Sequence, residues 1–335
     1  MAPTSASVGS GPVAIGIDVG GTRTKGALVS AEGAVALRIE RPTERDAGTK
    51  GIIAVAEELV PRATEAGIDV VGIGVGAAGF IDAATGSVTF SPNLVYDDPY
   101  IADAVRARTG IDVVVDNDAN AAAWGERAFG AARGSEQVSY LTIGTGIGSG
   151  FIVAGRLVRG ETGAGAEMGH TVIDPRGPLC GCGLRGCLEQ FASGTAIARM
   201  ARAALADDPD SAILSFASSL EAVTSLEVAK AAHLLDETAC AVLRRAGRSL
   251  ALGLSNVVNI FDPEVIVLGG SAVRAGEPFL GPCRDELARL TQAQRRRPQR
   301  LVVTSLGGDA GIVGAAALAF HPEAGPAGRG DRDGD

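Results

Sequence analysis

Aromatic side chains are scarce in this 335-residue chain, at 4 %, with a single tryptophan and three tyrosines. That poverty argues against the stacking platforms that single-stranded nucleic acid requires. Basic runs are equally rare. The net charge is −9, and only Arg295–Arg296–Arg297 stands out, in the pattern of a solvated helix end. With no basic stripe, a nucleic-acid partner is not expected. No uninterrupted apolar run approaches the ~18–20 residues of a membrane span, so no membrane partner is expected either. Met1 to Pro12 is small and polar, without the basic and apolar regions of a secretory signal. Cysteine is limited to five residues, with no paired spacing that reads as a disulfide framework. A reducing, cytoplasmic setting is the expectation.

What the chain does have is apolar mass and glycine. Hydrophobic residues make up 46 % and charged residues 21 %, enough to bury a sizeable core, and there are 47 glycines. The length favours two domains over one. Residues 1–11 read as a flexible leader and residues 322–335 as a disordered tail.

Between these ends, short β-branched runs alternate with helical patterns. Strands are expected at Val13–Asp18, Gly26–Val29, Val35–Glu40, Val70–Val75 and Asp112–Val115. Helices are expected at Ala47–Ala66, Pro99–Thr109 and Ala119–Phe129. The pattern then restarts with a strand at Val138–Ile143, a glycine-rich turn at Gly144–Gly150 and a returning strand at Phe151–Val153. An apolar stripe from Leu234 to Leu254 within Leu226–Ile260 indicates one long helix or a pair. Strands at Val265–Leu268 and Leu301–Thr304 and a helix at Gly311–Phe320 complete the reading. The echo between Gly16–Thr22 and Leu141–Gly146 suggests two domains of one α/β plan, facing across a cleft.

Three of the five cysteines and one of the three histidines fall within eighteen positions: His170, Cys180, Cys182 and Cys187. One imidazole and three thiols form the ligand set of a closed tetrahedral zinc site. Glu167 precedes the histidine by three positions and Glu189 follows the last cysteine by two. Carboxylates fixed beside a metal loop suit hydroxyl recognition. If one nitrogen of His170 ligates zinc, the other must carry a proton and can donate to a sugar oxygen.

Three glycine turns end strands. In Asp18-Val-Gly20-Gly21-Thr22-Arg23-Thr24 the backbone N–H groups can cradle phosphate oxygens, while Asp18 can hold the water shell of Mg²⁺. The spacing is not that of a Walker loop. Gly144-Thr145-Gly146-Ile-Gly148-Ser149-Gly150 precedes a strand pattern rather than a helix, which argues for a phosphate-gripping hairpin over a dinucleotide fold. Gly269 and Gly270 offer a third turn, near which an adenosine can lie. Asp116-Asn117-Asp118-Ala-Asn120 ends a strand and opens a helix. Helix capping explains such residues. The functional alternative has one of Asn117 and Asp118 bind a hydroxyl group and the other accept its proton.

Together, Cys180-Gly-Cys182-Gly-x-x-Gly186-Cys187-x-Glu189, Glu167-x-Gly169-His170 and Asn117-Asp118-Ala-Asn120 resemble the ROK family of sugar kinases and repressors, and in particular its zinc-containing ATP-dependent glucokinases. The resemblance runs from about Ala14 to Phe320. It implies an α/β fold of two actin-like (ribonuclease H-like) ATPase domains flanking a cleft, with a structural zinc loop. The expected division is residues 12–118 plus 311–321 for the smaller domain and 119–310 for the larger, with the zinc loop at 167–189. The resemblance further implies Asp118 as general base toward the sugar 6-hydroxyl. It implies sugar contacts from Gly79, Asn93, Asn117, Glu167, His170 and Glu189. Asp18, Gly20, Gly21, Thr22, Thr145 and Gly146 would face the phosphates of MgATP, with Gly269 and Gly270 nearer the adenosine. A homodimer or homotetramer is implied by the same analogy.

The chain departs from the family pattern in carrying Arg23 where Lys is frequent, with Lys25 two positions on, and Ala77-Ala78 where a proline is common. Kinases for N-acetylmannosamine, N-acetylglucosamine or fructose share nearly all of these residues. A sugar-responsive repressor of the family requires a DNA-binding module, and only about a dozen residues precede Val13, too few for one.

Overall fold

The computed structural model describes residues 11–291 and 299–320. The leader, the tail and the Arg295–Arg297 run lie outside the described residues, apart from Gly11. The chain forms two compact units. The first comprises residues up to Gly134, the segment Arg156–Gly165 and the chain from Gly308 onward; the second comprises Ser135–Gly155 and Ala166–Gly307.

The first unit is built on five strands: β1 (Val13–Val19), β2 (Arg23–Ser30), β3 (Val35–Pro42), β4 (Val70–Ala77) and β7 (Val113–Asn117), in the order β3-β2-β1-β4-β7. The β1–β2 and β2–β3 pairs are antiparallel; β4 is parallel to both β1 and β7. Helices α1 (Gly48–Glu65) and α2 (Ile101–Thr109) lie on one face. There Ile52, Val55, Leu59, Ile101 and Val105 close over Ile15, Ile17, Ile73 and Val75 in a fully buried core. Helices α3 (Asp118–Phe129) and α9 (Ala310–Phe320) complete the unit. α9 approaches the sheet so closely that a Cβ on Gly74 would lie 1.7 Å from the Ala315 carbonyl oxygen. A short hairpin of β5 (Phe80–Asp82) and β6 (Ser87–Phe90), not expected from the sequence, stands outside the main sheet.

The second unit repeats the plan. Its strands are β8 (Val138–Ile143), β9 (Ile147–Val153), β11 (Val265–Gly269) and β12 (Arg300–Val303), in the order β9-β8-β11-β12. The two-residue β10 (Arg156–Leu157) belongs to the segment counted with the first unit. The β8–β9 pair is antiparallel and β11 runs parallel to β8 and β12. In each half, then, an antiparallel ribbon leads into parallel central strands, as the internal echo suggested.

Three local expectations need correction. The returning strand starts at Ile147, so the turn after β8 is only residues 144–146; Gly148 and Gly150 sit within β9, opposite Thr142 and Tyr140. Of the two readings of the 226–260 stripe the pair of helices holds, α6 (Ser225–His233) and α7 (Glu237–Phe261), but not the placing of two of its leucines. Leu234 and Leu235, read as part of the buried stripe, lie in the break and are 65 % and 82 % exposed. The break is fixed by Thr224 and Glu227 in a capping box at the start of α6 and by Asp236 capping α7. Finally, α3 does not open the second unit. Gly125 of α3 and Gly314 of α9 meet so closely that a Cβ on Gly314 would lie 2.0 Å from the Ala121 carbonyl oxygen, which ties α3 into the first unit.

Candidate active site

In the first unit the β1–β2 turn carries Gly20, Gly21 and Thr22, the last two exposed. The turn is closed by Gly20 N–H donating to the Arg23 carbonyl at 3.0 Å. Thr43 braces it from β3's end: its N–H donates to the Thr22 carbonyl at 2.9 Å, and its hydroxyl donates to the Gly20 carbonyl at 2.8 Å. Asp18 precedes the turn, paired across the ribbon with Lys25. Its carboxyl group lies where the first turn of α9 begins: a Cβ on Gly311 would sit 2.5 Å from Asp18 Cγ. Burial raises the pKa of Asp18 above the ordinary carboxylate value, and Lys25 partly offsets this.

The β7–α3 junction holds Asn117 and Asp118. Both readings of Asn117 are served by one side chain. Its Oδ1 accepts from the Ala119 N–H at 2.8 Å and the Asn120 N–H at 3.2 Å, capping α3. Its Nδ2 donates to the Gly79 carbonyl at 3.1 Å. Gly79 has φ +132°, and a Cβ there would lie 2.5 Å from the Phe90 carbonyl oxygen, so that turn admits only glycine. Asp118 is the first residue of α3, and its Oδ1 accepts from the Ala119 N–H at 2.8 Å. Asn93 is exposed, in the loop between β6 and α2.

Two features of this junction escaped the sequence. Tyr96 donates its hydroxyl to the Ala78 carbonyl at 3.0 Å. Burial, and then the nearby carboxylates of Asp118 and Asp18, push its phenol well above the ordinary value. Asp116, 2 % exposed, accepts from Arg159 Nε at 2.7 Å and from Asn120 Nδ2 at 3.0 Å.

The second unit places Glu167, His170 and Glu189 around the cysteine cluster. A 3₁₀ turn at Met168–His170 follows Glu167, with the His170 N–H donating to the Glu167 carbonyl at 3.0 Å. Gly169 lets this turn lie on β9, since a Cβ there would be 2.2 Å from the Ile147 carbonyl oxygen. Ser149 ties it down further, donating to the Ala166 carbonyl and accepting the Met168 N–H at 3.0 Å. Burial, and less so Glu189, raises the pKa of Glu167, while His170 opposes the shift.

His170 Nδ1 lies 3.6 Å from Cys180 Sγ, and Cys182 Sγ lies 3.6 Å from Cys187 Sγ. The four ligand atoms all fall within 4.8 Å of one another. Zn–S bonds of ~2.3 Å and Zn–N bonds of ~2.1 Å give tetrahedral edges of about 3.5–3.8 Å, which the His170–Cys180 and Cys182–Cys187 separations match. The donors thus fit a metal ion, and Nδ1 is the imidazole nitrogen facing it. Gly186, at φ +77°, carries the loop past Asp174, whose carbonyl oxygen would be 1.6 Å from a Cβ. Leu188 anchors the loop's end against Gly253 of α7 and is fully buried. Glu189 then accepts from the Ile147 N–H at 2.9 Å.

Thr145 and Gly146 form the β8–β9 turn, with Thr145 exposed. The Thr145 carbonyl accepts from the Thr195 hydroxyl at 2.7 Å, and the Gly144 carbonyl accepts from the Gly194 N–H at 2.7 Å. Both donors open helix α5 (Gly194–Ala204). Gly269 ends β11 and Gly270 turns the chain away with φ +89°.

Two α/β units of one strand order, with a His/Cys₃ cluster beside paired glutamates in the second, define a duplicated protein of the actin-like class. The chain belongs to the ROK family, whose family model matches residues 14–321. It is 37 % identical to a glucokinase of Thermotoga maritima over 91 % of this chain and 96 % of that one. It is 36 % identical to a glucokinase of Streptomyces coelicolor over 92 % of this chain and 98 % of that one. Among solved structures, a ROK family glucokinase from Streptomyces griseus in complex with glucose and AMPPNP matches with TM-score 0.81 and 38 % identity, over 92 % of this chain and 99 % of that one.

Proposed function

We propose that the protein transfers the γ-phosphoryl group of ATP to the 6-hydroxyl of glucose. The observation that carries this reading is Asp118, a carboxylate at the start of α3, held beside an asparagine whose amide is locked between the helix cap and the Gly79 carbonyl. The similarity to glucokinases, and to one seen with glucose and an ATP analogue, supports the choice of sugar and donor.

In this reading Asp118 accepts the 6-hydroxyl proton as the phosphoryl group leaves ATP, a contribution of about 10²–10⁴ in rate. Gly79, Asn93, Asn117, Glu167, His170 and Glu189 orient the hexose hydroxyls. His170 does so through Nε2–H, because Nδ1 faces the cysteines. The backbone amides of Gly20, Gly21, Thr22, Thr145 and Gly146 hold phosphate oxygens, and Gly269 and Gly270 border the adenosine. Asp18 holds the water shell of Mg²⁺, whose charge offsets that of the phosphates. His170, Cys180, Cys182 and Cys187 hold zinc, which serves as a structural pin for the 167–189 loop. A cytoplasmic homodimer or homotetramer is part of the same reading; among the described residues no helix is long and apolar enough to cross a membrane.

The test is a coupled ADP assay over a panel of glucose, fructose, N-acetylglucosamine and N-acetylmannosamine. Glucose should give the highest kcat/KM. ADP release with an N-acetylated hexose and none with glucose would reassign the substrate, and no ADP with any hexose would remove the kinase reading.

A further inference from the structure

Arg159 belongs to none of the motifs above, yet its side chain reaches the strand that presents Asp118. The chain leaves the second unit after Gly155, contributes Arg156–Gly165 to the first, and returns at Ala166. This excursion is tightly seated. The Gly165 N–H donates to the Arg159 carbonyl at 2.9 Å. Gly163, at φ +75°, lies so near β5 that a Cβ would be 1.9 Å from the Ile81 carbonyl oxygen. Arg159 Nε stands 2.7 Å from Asp116 Oδ2, and the two side chains are 21 % and 3 % exposed. The other carboxylate oxygen of Asp116 accepts from the Asn117 N–H at 2.7 Å and from Asn120 Nδ2 at 3.0 Å. One carboxylate therefore ties Arg159 to the residues on either side of Asp118.

We infer that Arg159 is a positioning residue for phosphoryl transfer: through Asp116 it fixes the β7–α3 junction in the geometry that aims Asp118 at the acceptor hydroxyl. The physical case is one of alternatives. A carboxylate as buried as Asp116 is costly unless paired, so the junction has one low-energy arrangement while Arg159 is present. Without the guanidinium, Asp116 turns toward water or draws it in, and the N–H groups of Asn117 and Asn120 follow or lose their acceptor. Asp118 lies between them and moves with them. Misplacement by about 1 Å at a reacting centre costs on the order of 10²-fold in rate.

This inference rests on the kinase reading, and its test separates the two. Arg159→Gln should lower kcat by about 10–100-fold while leaving the KM for ATP unchanged. Arg159→Lys, which restores a cation but not the fixed guanidinium geometry, should recover part of kcat. A bare loss of stability is separated by the double variant Asp116→Leu/Arg159→Met. Replacing a buried ion pair with apolar side chains commonly restores stability, so Tm should return toward the parent value. Turnover should stay low, because Asn117 and Asn120 have lost their acceptor. If kcat recovers together with Tm in that variant, or if Arg159→Gln turns over normally, Arg159 is only a structural residue. A parent protein that releases no ADP with any hexose sinks the kinase reading and this inference together.

Discussion

Glu189 Oε2 accepts the Ile147 N–H at 2.9 Å, and a methyl group on Gly146 would lie 2.2 Å from that same oxygen. The acidic end of the metal loop and the β8–β9 turn are therefore built against each other. A glutamate's carboxylate is mobile in general and could yield to a new methyl. Here it is held by the Ile147 amide. Gly146→Ala must displace it. The KM for glucose should rise by about 10-fold, as for one lost charge-assisted hydrogen bond of roughly 1.4 kcal/mol. Since the clash involves the end of a side chain, Tm should shift little. Steady-state kinetics with a melting curve checks both.

The metal cluster gives a second expectation. Purified protein should carry about one zinc per chain by elemental analysis. His170→Ala and Cys182→Ser should lower that content, loosen the 167–189 loop and raise the glucose KM more than they alter the ATP KM. Chelation of the parent should do the same, with recovery on adding zinc. An unchanged zinc content in His170→Ala would remove the histidine from the ligand set.

Legibility in the sequence followed chemical rarity and periodicity. The cysteine cluster was legible because its residue types are few and close together; the structure brings all four ligand atoms within 4.8 Å. The central strands were legible because two-sided burial demands runs such as Val-Ile-Val-Leu at Val265–Leu268. The helix α8 (Glu277–Leu290) was not, because Pro278 and Pro282 obscure its pattern. The β5–β6 hairpin has only three and four residues per strand, too few for a period to show. The Asp116–Arg159 pair spans 43 positions, and neither residue differs in sequence from an ordinary surface charge. Tyr96 was hidden for the same reason: its importance lies in Ala78, Asp18 and Asp118, none of them neighbours in the chain.

Asp118→Ala should leave glucose binding nearly intact and lower kcat by about 10²–10⁴-fold. The helix cap does not depend on the Asp118 side chain alone, since Asn117 supplies its own hydrogen bonds to Ala119 and Asn120. The variant should therefore fold, and calorimetric titration with glucose can report binding apart from turnover. Near-normal kcat would take the base's role away from Asp118.

Asp18 offers a test of opposite sign for stability. Burial raises its pKa in the folded protein, so the folded state holds this proton more tightly than the unfolded chain does. Its contribution to stability is then greatest at low pH. It falls as pH rises from the ordinary aspartate value of ~3.9 to the raised folded value, and stays at that lower level above it. Lys25 and the start of α9 offset part of the cost without removing it. Asp18→Asn removes the charge while keeping the shape beside Gly311. At pH 7 to 8 it should raise Tm. Turnover should collapse in the same variant, because the carboxylate assigned to the Mg²⁺ shell is gone. A parent and variant of equal Tm at pH 7 would mean the carboxylate is fully compensated in the folded state. A stabilised variant with unimpaired turnover would strip Asp18 of its part in the nucleotide site.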